Sequence, residues 1–317
     1  MRSEEQTIVV AGPGALGCLL AALLHRNGRA VTLLDKNAER ARTLNAKGIR
    51  LESAVRPLVL PMMATTDFAC VRDAEAVLIC VKSYDARALL ECVAPHLAPE
   101  TVVVSFQNGL GHDDLLREHV GASRSVCAVT GEGATALDVG RIVHAGRGRT
   151  RVAPLDSRDS QAGRRATDLL QEAGMDAVFD TDVRRTLWSK LVVSVGINPV
   201  TALADVPNGA LLDRPDLFAR AQAAAEEACA VAGAAGVTLP EPDAVGTLRR
   251  VCRNTAANLS SMLQDVRKGK RTEIEALNGA VVREGRRLGV PTPVNGELRK
   301  EVLARFESDF TLPAPRP

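Results

Sequence analysis

The chain has 317 residues, of which 46% are hydrophobic, 25% charged and 3% aromatic. Forty Lys and Arg against 38 Asp and Glu leave a formal net charge of +2, which supplies no cationic field for nucleic acid or an anionic membrane. Six Phe, one Trp and one Tyr are too few for a base-stacking platform, and the length suggests about two domains.

Residues 7–12 (TIVVAG) are a short β-branched run ending in glycine, the pattern of a buried parallel strand. The apolar stretch 15–24 follows as a helix and stops at Asn27-Gly28, a helix C-terminal signal. Residues 30–34 (AVTLL) read as a second strand, and a charged helix over 37–47 closes at Gly48. Further strands are expected at 58–60, 76–81 and 101–106, with helices near 84–94 and 112–119. Strands alternating with helices make βαβ units on a parallel sheet. The pieces SVCAVT and RIVHAG within 125–153 are expected to complete that sheet. From Thr181 the pattern turns helical, at 183–197, 215–235, 243–266 and 273–288, with turns at Pro207-Asn208-Gly209, at 240–242 and at Gly269. An α/β domain over 1–181 and an all-α domain over 182–317 are therefore expected, with a frayed tail, TLPAPRP. The Ala-rich amphipathic helices of the second domain suit a homodimer interface and an intrachain bundle equally.

The seven cysteines are odd in number, form no C-x-x-C and lie mostly in apolar runs, so they are read as reduced thiols of a cytoplasmic protein. No Cys/His/Glu set with metal-ligand spacing surrounds the five histidines, and no metal is expected. No long apolar segment opens the chain, and no stretch approaches the ~18 uncharged apolar residues of a membrane span.

Gly12-Pro13-Gly14-Ala15-Leu16-Gly17 is a G-x-G-x-x-G motif that directly follows a strand and opens a helix. In that context the glycines permit a tight turn and close backbone approach, and the helix N-terminus offers N–H groups to a pyrophosphate. The first domain is thus expected to be a Rossmann-type dinucleotide-binding domain. Asp35 ends the second strand, 18 residues after Gly17. A carboxylate there accepts from the adenine ribose hydroxyls and favours NADH over NADPH, or else caps the next helix. Lys36 beside it can pair with a 2′-phosphate. Lys82 and Asn108 close two further strands, VLICVK and VVVSFQN, where ligands of an open parallel sheet bind.

The segment DVRRTLWSKLVVSVGINP places Lys190, Ser194 and Asn198 on one stripe of a helix, within about 40° per step. Leu191, Val192, Val195 and Ile197 make the other faces apolar, so the helix should be buried. A buried lysine is costly unless it is paired or functional. Thr272 and Glu275 fit a capping box that would set Glu273 in the first turn of a helix, as a partner for Lys190 or as a dipole-stabilising surface residue. The run RKGKR at 267–271 reads as a solvated turn.

These stretches together resemble the ketopantoate reductase (2-dehydropantoate 2-reductase) family over nearly the whole chain. The resemblance is carried by GPGALG, the VK of ICVK, QNG at 107–109 and WSKLVVSVGINPVTAL at 188–203. It continues through PNGALL at 207–212, NLSSMLQDV at 258–266 and TEIEALNG at 272–279. It implies a Rossmann domain, a helical substrate-binding or dimerisation domain, and hydride transfer from NAD(P)H to a small 2-keto acid. By resemblance Lys190 is the general acid, and Glu273 assists it and positions substrate. Asn108, Asn198, Asn208 and Ser261 orient cofactor or substrate, and Lys82 lies near the nicotinamide. Two positions depart from the family pattern. Asp35 stands where an arginine usually holds the 2′-phosphate of NADPH, and Ser194 stands where an asparagine usually contacts substrate. The alternatives are a reductase for another 2-keto acid and a non-catalytic NAD(P)H sensor. A sensor has no need of an acid such as Lys190.

Overall fold

The computed structural model describes residues 7–52, 56–241 and 243–306. The tail at 311–317 and the turn residue Pro242 lie outside them. The chain forms two compact units: residues 1–107 with 111–186, and residues 108–110 with 187–317.

The first unit is built on an eight-stranded sheet. Its strands are β1 (Thr7–Ala11), β2 (Val31–Leu34), β5 (Met63–Thr65), β6 (Ala74–Ile79), β7 (Val102–Ser105), β8 (Ser125–Thr130), β11 (Thr150–Pro154) and β12 (Ala177–Phe179). Their order is β12-β11-β8-β7-β6-β1-β2-β5. Every neighbouring pair is parallel except β8 with β11. The strand order turns outward in opposite directions from β1 and β6, which creates the crevice where open α/β sheets bind ligands. Val, Ile and Leu fill these strands because both faces are covered: β1, β6 and β7 are buried almost throughout.

Residues 58–60 and the RIVHAG piece do not join this sheet. They form β4 (Leu58–Leu60) and β10 (Arg141–Gly146) of a separate four-stranded sheet, with β3 (Ile49–Glu52) and β9 (Gly133–Asp138), in the order β4-β3-β10-β9. The helix α1 (Ala15–Arg26) packs against both sheets, with Leu19, Leu20 and Leu24 sharing a core with Ile49, Leu60 and Ile142. That double cover explains why ALGCLLAALL is apolar on every side rather than amphipathic. Truncating a fully buried leucine there, such as Leu20→Ala, would cost ~2–5 kcal/mol. The remaining helices of this unit are α2 (Ala38–Lys47), α3 (Ala86–Val93), α4 (His112–His119) and α5 (Gln161–Glu172).

The second unit is helical. It comprises most of α6 (Val183–Ala204), then α7 (Pro215–Ala234), α8 (Ala244–Asn254), α9 (Ser261–Arg267), α10 (Asn278–Leu288) and α11 (Pro293–Phe306). Among the described residues α6 is the one helix long and apolar enough to cross a membrane. Its Trp188, Leu191, Val192 and Val195 are spent on the core of this unit. A Cβ on Gly196 would come within 2.5 Å of the Ala221 carbonyl, and Ala221, Ala224, Ala225 and Ala228 of α7 are fully buried. The two helices are thus too close for larger side chains, which accounts for the alanine content of α7.

Two expected helices are shorter than the sequence suggests. The stretch 243–266 breaks at 255–260, where Asn208 N donates to Asn258 O and Gly209 N to Ala256 O. The PNGALL segment therefore takes up backbone groups of that link, and Ser260 caps α9 by accepting from Leu263 N. The helix expected from 273 starts instead at Asn278. Thr272 does not cap a helix: its Oγ1 accepts from Ile274 N in a turn, and Glu275 pairs with Arg299 and Arg283.

Candidate active site

In the first unit the glycine motif meets the tests of a pyrophosphate cradle. Gly12 has φ +94°, and a Cβ on it would lie 2.6 Å from Val81 N. A Cβ on Gly17 would lie 2.3 Å from Gly12 O, so these two glycines are demanded by the protein itself. A Cβ on Gly14 would meet nothing within 4 Å, which leaves its face open to a ligand. Gly14 is the N-cap of α1 with no side-chain cap and no acidic residue in the first turn, so the amides of Ala15, Leu16 and Gly17 keep their dipole uncompensated. Pro13 supplies no competing N–H. Cys18, just inside the helix, is a packing group: burial pushes its thiol up to about 12.

Asp35 sits at the end of β2 with a fully buried carboxylate. Arg40, from the first turn of α2, engages both its oxygens, with Nη2 donating to Oδ1 at 2.6 Å and Nε to Oδ2. Asn37 N adds a third hydrogen bond at 2.9 Å. A ribose diol could reach this carboxylate only by displacing Arg40, whose guanidinium is itself held more firmly protonated by the bond to Asp35. Arg40 was not singled out in the sequence; its signal was a cation five residues after a strand-end aspartate. Lys36 is exposed and places Nζ 2.8 Å from both carboxylate oxygens of Asp85. Lys82 follows β6, half-buried, as the N-cap of the 3₁₀ turn Ser83–Asp85. Among the described residues no cluster of His, Cys, Asp and Glu is suited to a metal ion.

The second unit gathers the other set. Lys190, Ser194 and Asn198 share one face of α6 and are each partly accessible, while Leu191, Val192, Val195 and Ile197 are buried. Part of Lys190 reaches the surface, yet burial of its ammonium lowers its pKa from 10.5 to about 8, against an upward pull from the Glu273 charge. Glu273 is buried at 6% exposure, in the turn that precedes α10. Asn108 belongs to this unit although its strand does not. Gly109 has φ +89°, and a Cβ on it would strike the Ala276 carbonyl at 2.1 Å. Leu110 N donates to that same carbonyl at 3.1 Å. The QNG peptide is therefore pressed onto the Glu273–Ala276 turn, and Asn108 Nδ2 donates to Glu273 Oε2 at 3.3 Å.

The remaining site residues lie in the same unit. Asn198 Nδ2 is 3.5 Å from Ser261 Oγ, at the exposed start of α9. Asn208 is buried; its Nδ2 donates to Thr255 Oγ1 at 2.9 Å, and its Oδ1 has no partner among the described residues. A buried acceptor left open in this way suits a ligand hydroxyl or amide. A lysine lowered to about 8, a carboxylate near it and a set of amides can donate a proton to a carbonyl oxygen and orient what carries it.

The chain is similar to known proteins of one family. Residues 8–157 match the family model "Ketopantoate reductase PanE/ApbA", and residues 182–304 match its C-terminal model. The chain is 37% identical to the 2-dehydropantoate 2-reductase of Archaeoglobus fulgidus over 297 residues, covering 92% of this chain and 95% of the relative. It is 36% identical to that of Halobacterium salinarum, covering 90% and 94%. The crystal structure of a PanE/ApbA family ketopantoate reductase from Ralstonia eutropha superposes with a TM-score of 0.85 at 32% identity, covering 94% of this chain and 98% of that one. With a family model matched across both units and relatives this similar over their full length, the chain belongs to the ketopantoate reductase family.

Proposed function

We propose that the protein reduces 2-dehydropantoate (ketopantoate) to pantoate with a reduced nicotinamide dinucleotide. The observation that carries this reading is Lys190: a lysine lowered to about 8 by burial, on a stripe with Ser194 and Asn198, within the field of Glu273. The family's identity with curated 2-dehydropantoate 2-reductases supports it independently.

The dinucleotide, when bound at the glycine motif, supplies the hydride to the ketone carbon. The chain's own residues do the rest. Lys190 Nζ holds a proton and gives it to the ketone oxygen as negative charge develops there, ending as the neutral amine. Glu273 favours the protonated lysine, so burial does not strip the proton before substrate arrives. Asn108 donates to Glu273 and keeps that carboxylate aimed. Asn198, Ser194, Asn208 and Ser261 offer the amides and hydroxyls that a keto acid with its own hydroxyl and carboxylate requires.

NADPH is read as the preferred reductant. Asp35, the expected acceptor for an unmodified ribose, is consumed by Arg40 and Asn37, whereas a 2′-phosphate can draw on the N–H groups of Arg40 that Asp35 does not use and on Lys36 in exchange for its bond to Asp85. The test is to follow loss of reduced-nicotinamide absorbance on addition of 2-dehydropantoate, with NADPH and NADH in parallel, and to identify pantoate as the product. Binding of the dinucleotide without turnover of any 2-keto acid would refute the assignment.

A further inference from the structure

Pro199 lies inside α6, which continues through it. Proline has no N–H, so the carbonyl four residues earlier, that of Val195, loses its helical donor. Val195 is fully buried, and water is no ready substitute. The structure fills the gap from another helix: Asn278 Nδ2 donates to Val195 O at 3.0 Å. Its second N–H goes to Asn295 Oδ1, also at 3.0 Å. Asn295 in turn donates to Ala224 O at 2.9 Å and to Glu227 Oε2 at 2.7 Å, and Glu227 accepts from the amides of Val294 and Asn295 at the start of α11. Both asparagines are fully buried, and the two acceptors of each Nδ2 fix which way each amide points, although Asn278 Oδ1 has no partner among the described residues.

The placement of this chain of bonds gives it a further consequence. Val195 sits between Ser194 and Asn198, five residues after Lys190. Asn278 opens α10, directly after the turn in which Ala276 N and Leu277 N return to Glu273 O at 3.0 and 3.1 Å. The Asn278–Val195 bond is thus a direct side-chain tie between the segment that carries Lys190 and the segment that carries Glu273.

We propose that Asn278 is a positioning residue for the proton-donating lysine: it replaces the N–H that Pro199 withholds from Val195, and so fixes the Lys190 stripe against Glu273. The role rests on the reading of Lys190 and Glu273 given above. Pro199 makes the bond necessary. Without the proline, a backbone amide would satisfy Val195, and the bond would no longer be needed for stability, only for position.

The experiment is a double-mutant cycle on the full chain with Asn278→Ala, Pro199→Ala and the pair, read by thermal midpoint, kcat and KM for 2-dehydropantoate, the pH profile of kcat and dinucleotide affinity by titration. Asn278→Ala should lower kcat by about tenfold or more, as small misplacements of reacting groups do, with dinucleotide affinity held within about twofold. Its high-pH limb should move down from about 8 by roughly half a unit or more, because a more distant Glu273 pulls Lys190 up less. Pro199→Ala alone should stay within about threefold of wild type, and added to Asn278→Ala it should restore most of the lost stability, while the rate and the pH limb, which depend on the tie itself, stay displaced.

An unmoved limb, or stability losses that add with no rescue, would overturn the proposal. If Asn278→Ala does not fold alone, recovery of folded protein in the double variant supports the substitution of donors, and failure there overturns it. If wild type reduces no 2-keto acid, the functional assignment fails. The thermal rescue would still decide whether Asn278 stands in for the missing amide.

Discussion

The side-chain amide of Asn108 donates to the Glu273 carboxylate at 3.3 Å, although 165 residues of chain separate them. The bond exists because Gly109, in a left-handed conformation, lets the QNG peptide lie against the Ala276 carbonyl at a distance no Cβ would tolerate. Exchanging the amide for a second carboxylate sets two like charges together and raises the energy of both. Asn108→Asp is therefore expected to lower kcat/KM at pH 7 about tenfold more than Asn108→Ala, which only removes a donor. Steady-state rates of the two variants check this, and equal losses would show that Glu273 does not work as a carboxylate.

Lys190, proposed above as the proton donor, should set the pH dependence. Burial lowers its pKa to about 8, and only the protonated form can donate to the ketone oxygen. Reduction should hold its rate below that pH and fall roughly tenfold per unit above it. Oxidation of pantoate needs the neutral amine and should rise through the same region. A pH–rate series in both directions reads this; a reduction rate that rises above pH 8 contradicts it.

Arg40 should decide the dinucleotide. Arg40→Ala removes one of the two cations read as facing a 2′-phosphate, and also frees Asp35 to accept from ribose hydroxyls. NADPH affinity is expected to fall about tenfold or more and NADH affinity to hold or improve. Fluorescence titration of both reduced dinucleotides makes the comparison. Equal loss for both would mean that the Asp35–Arg40 pair only braces the end of β2.

Much of this was legible in the sequence, for identifiable reasons. GPGALG announced itself because a strand, a tight turn and a helix start must coincide there. Lys190, Ser194 and Asn198 stood out because helical periodicity places them together, and the structure keeps them on one face of α6. The capping box at Thr272 misled because a four-residue pattern can close a turn as readily as it starts a helix, and α10 begins only at Asn278. Residues 58–60 and RIVHAG are genuine strands whose sheet could not be known, since strand propensity says nothing of which partner a strand will choose. Asn278 was missed for the same reason, because its partner, the Val195 carbonyl, lies 83 residues away and only the folded chain brings it near. Arg40 is the opposite case, a cation only five residues after Asp35 whose signal is local.

Ser194 is proposed to bear on substrate choice. It lies one turn from both Lys190 and Asn198, and the resemblance implies an asparagine, which is longer, at its position. Ser194→Asn extends an amide from that stripe, and a new hydrogen bond to a substrate hydroxyl contributes ~1–3 kcal/mol. The variant should raise kcat/KM for 2-dehydropantoate relative to simpler 2-keto acids. If it harms 2-dehydropantoate alone, the serine is itself the fitted residue and the space beside it is already filled.

The most direct test is single-turnover reduction of 2-dehydropantoate by enzyme preloaded with NADPH, for wild type and Lys190→Ala. Wild type should oxidise one equivalent of dinucleotide and form one of pantoate, and Lys190→Ala should bind NADPH normally but react ~10²–10⁴ times more slowly. A folded Lys190→Ala protein that reduces 2-dehydropantoate at the wild-type rate would contradict the role of Lys190 as the proton donor.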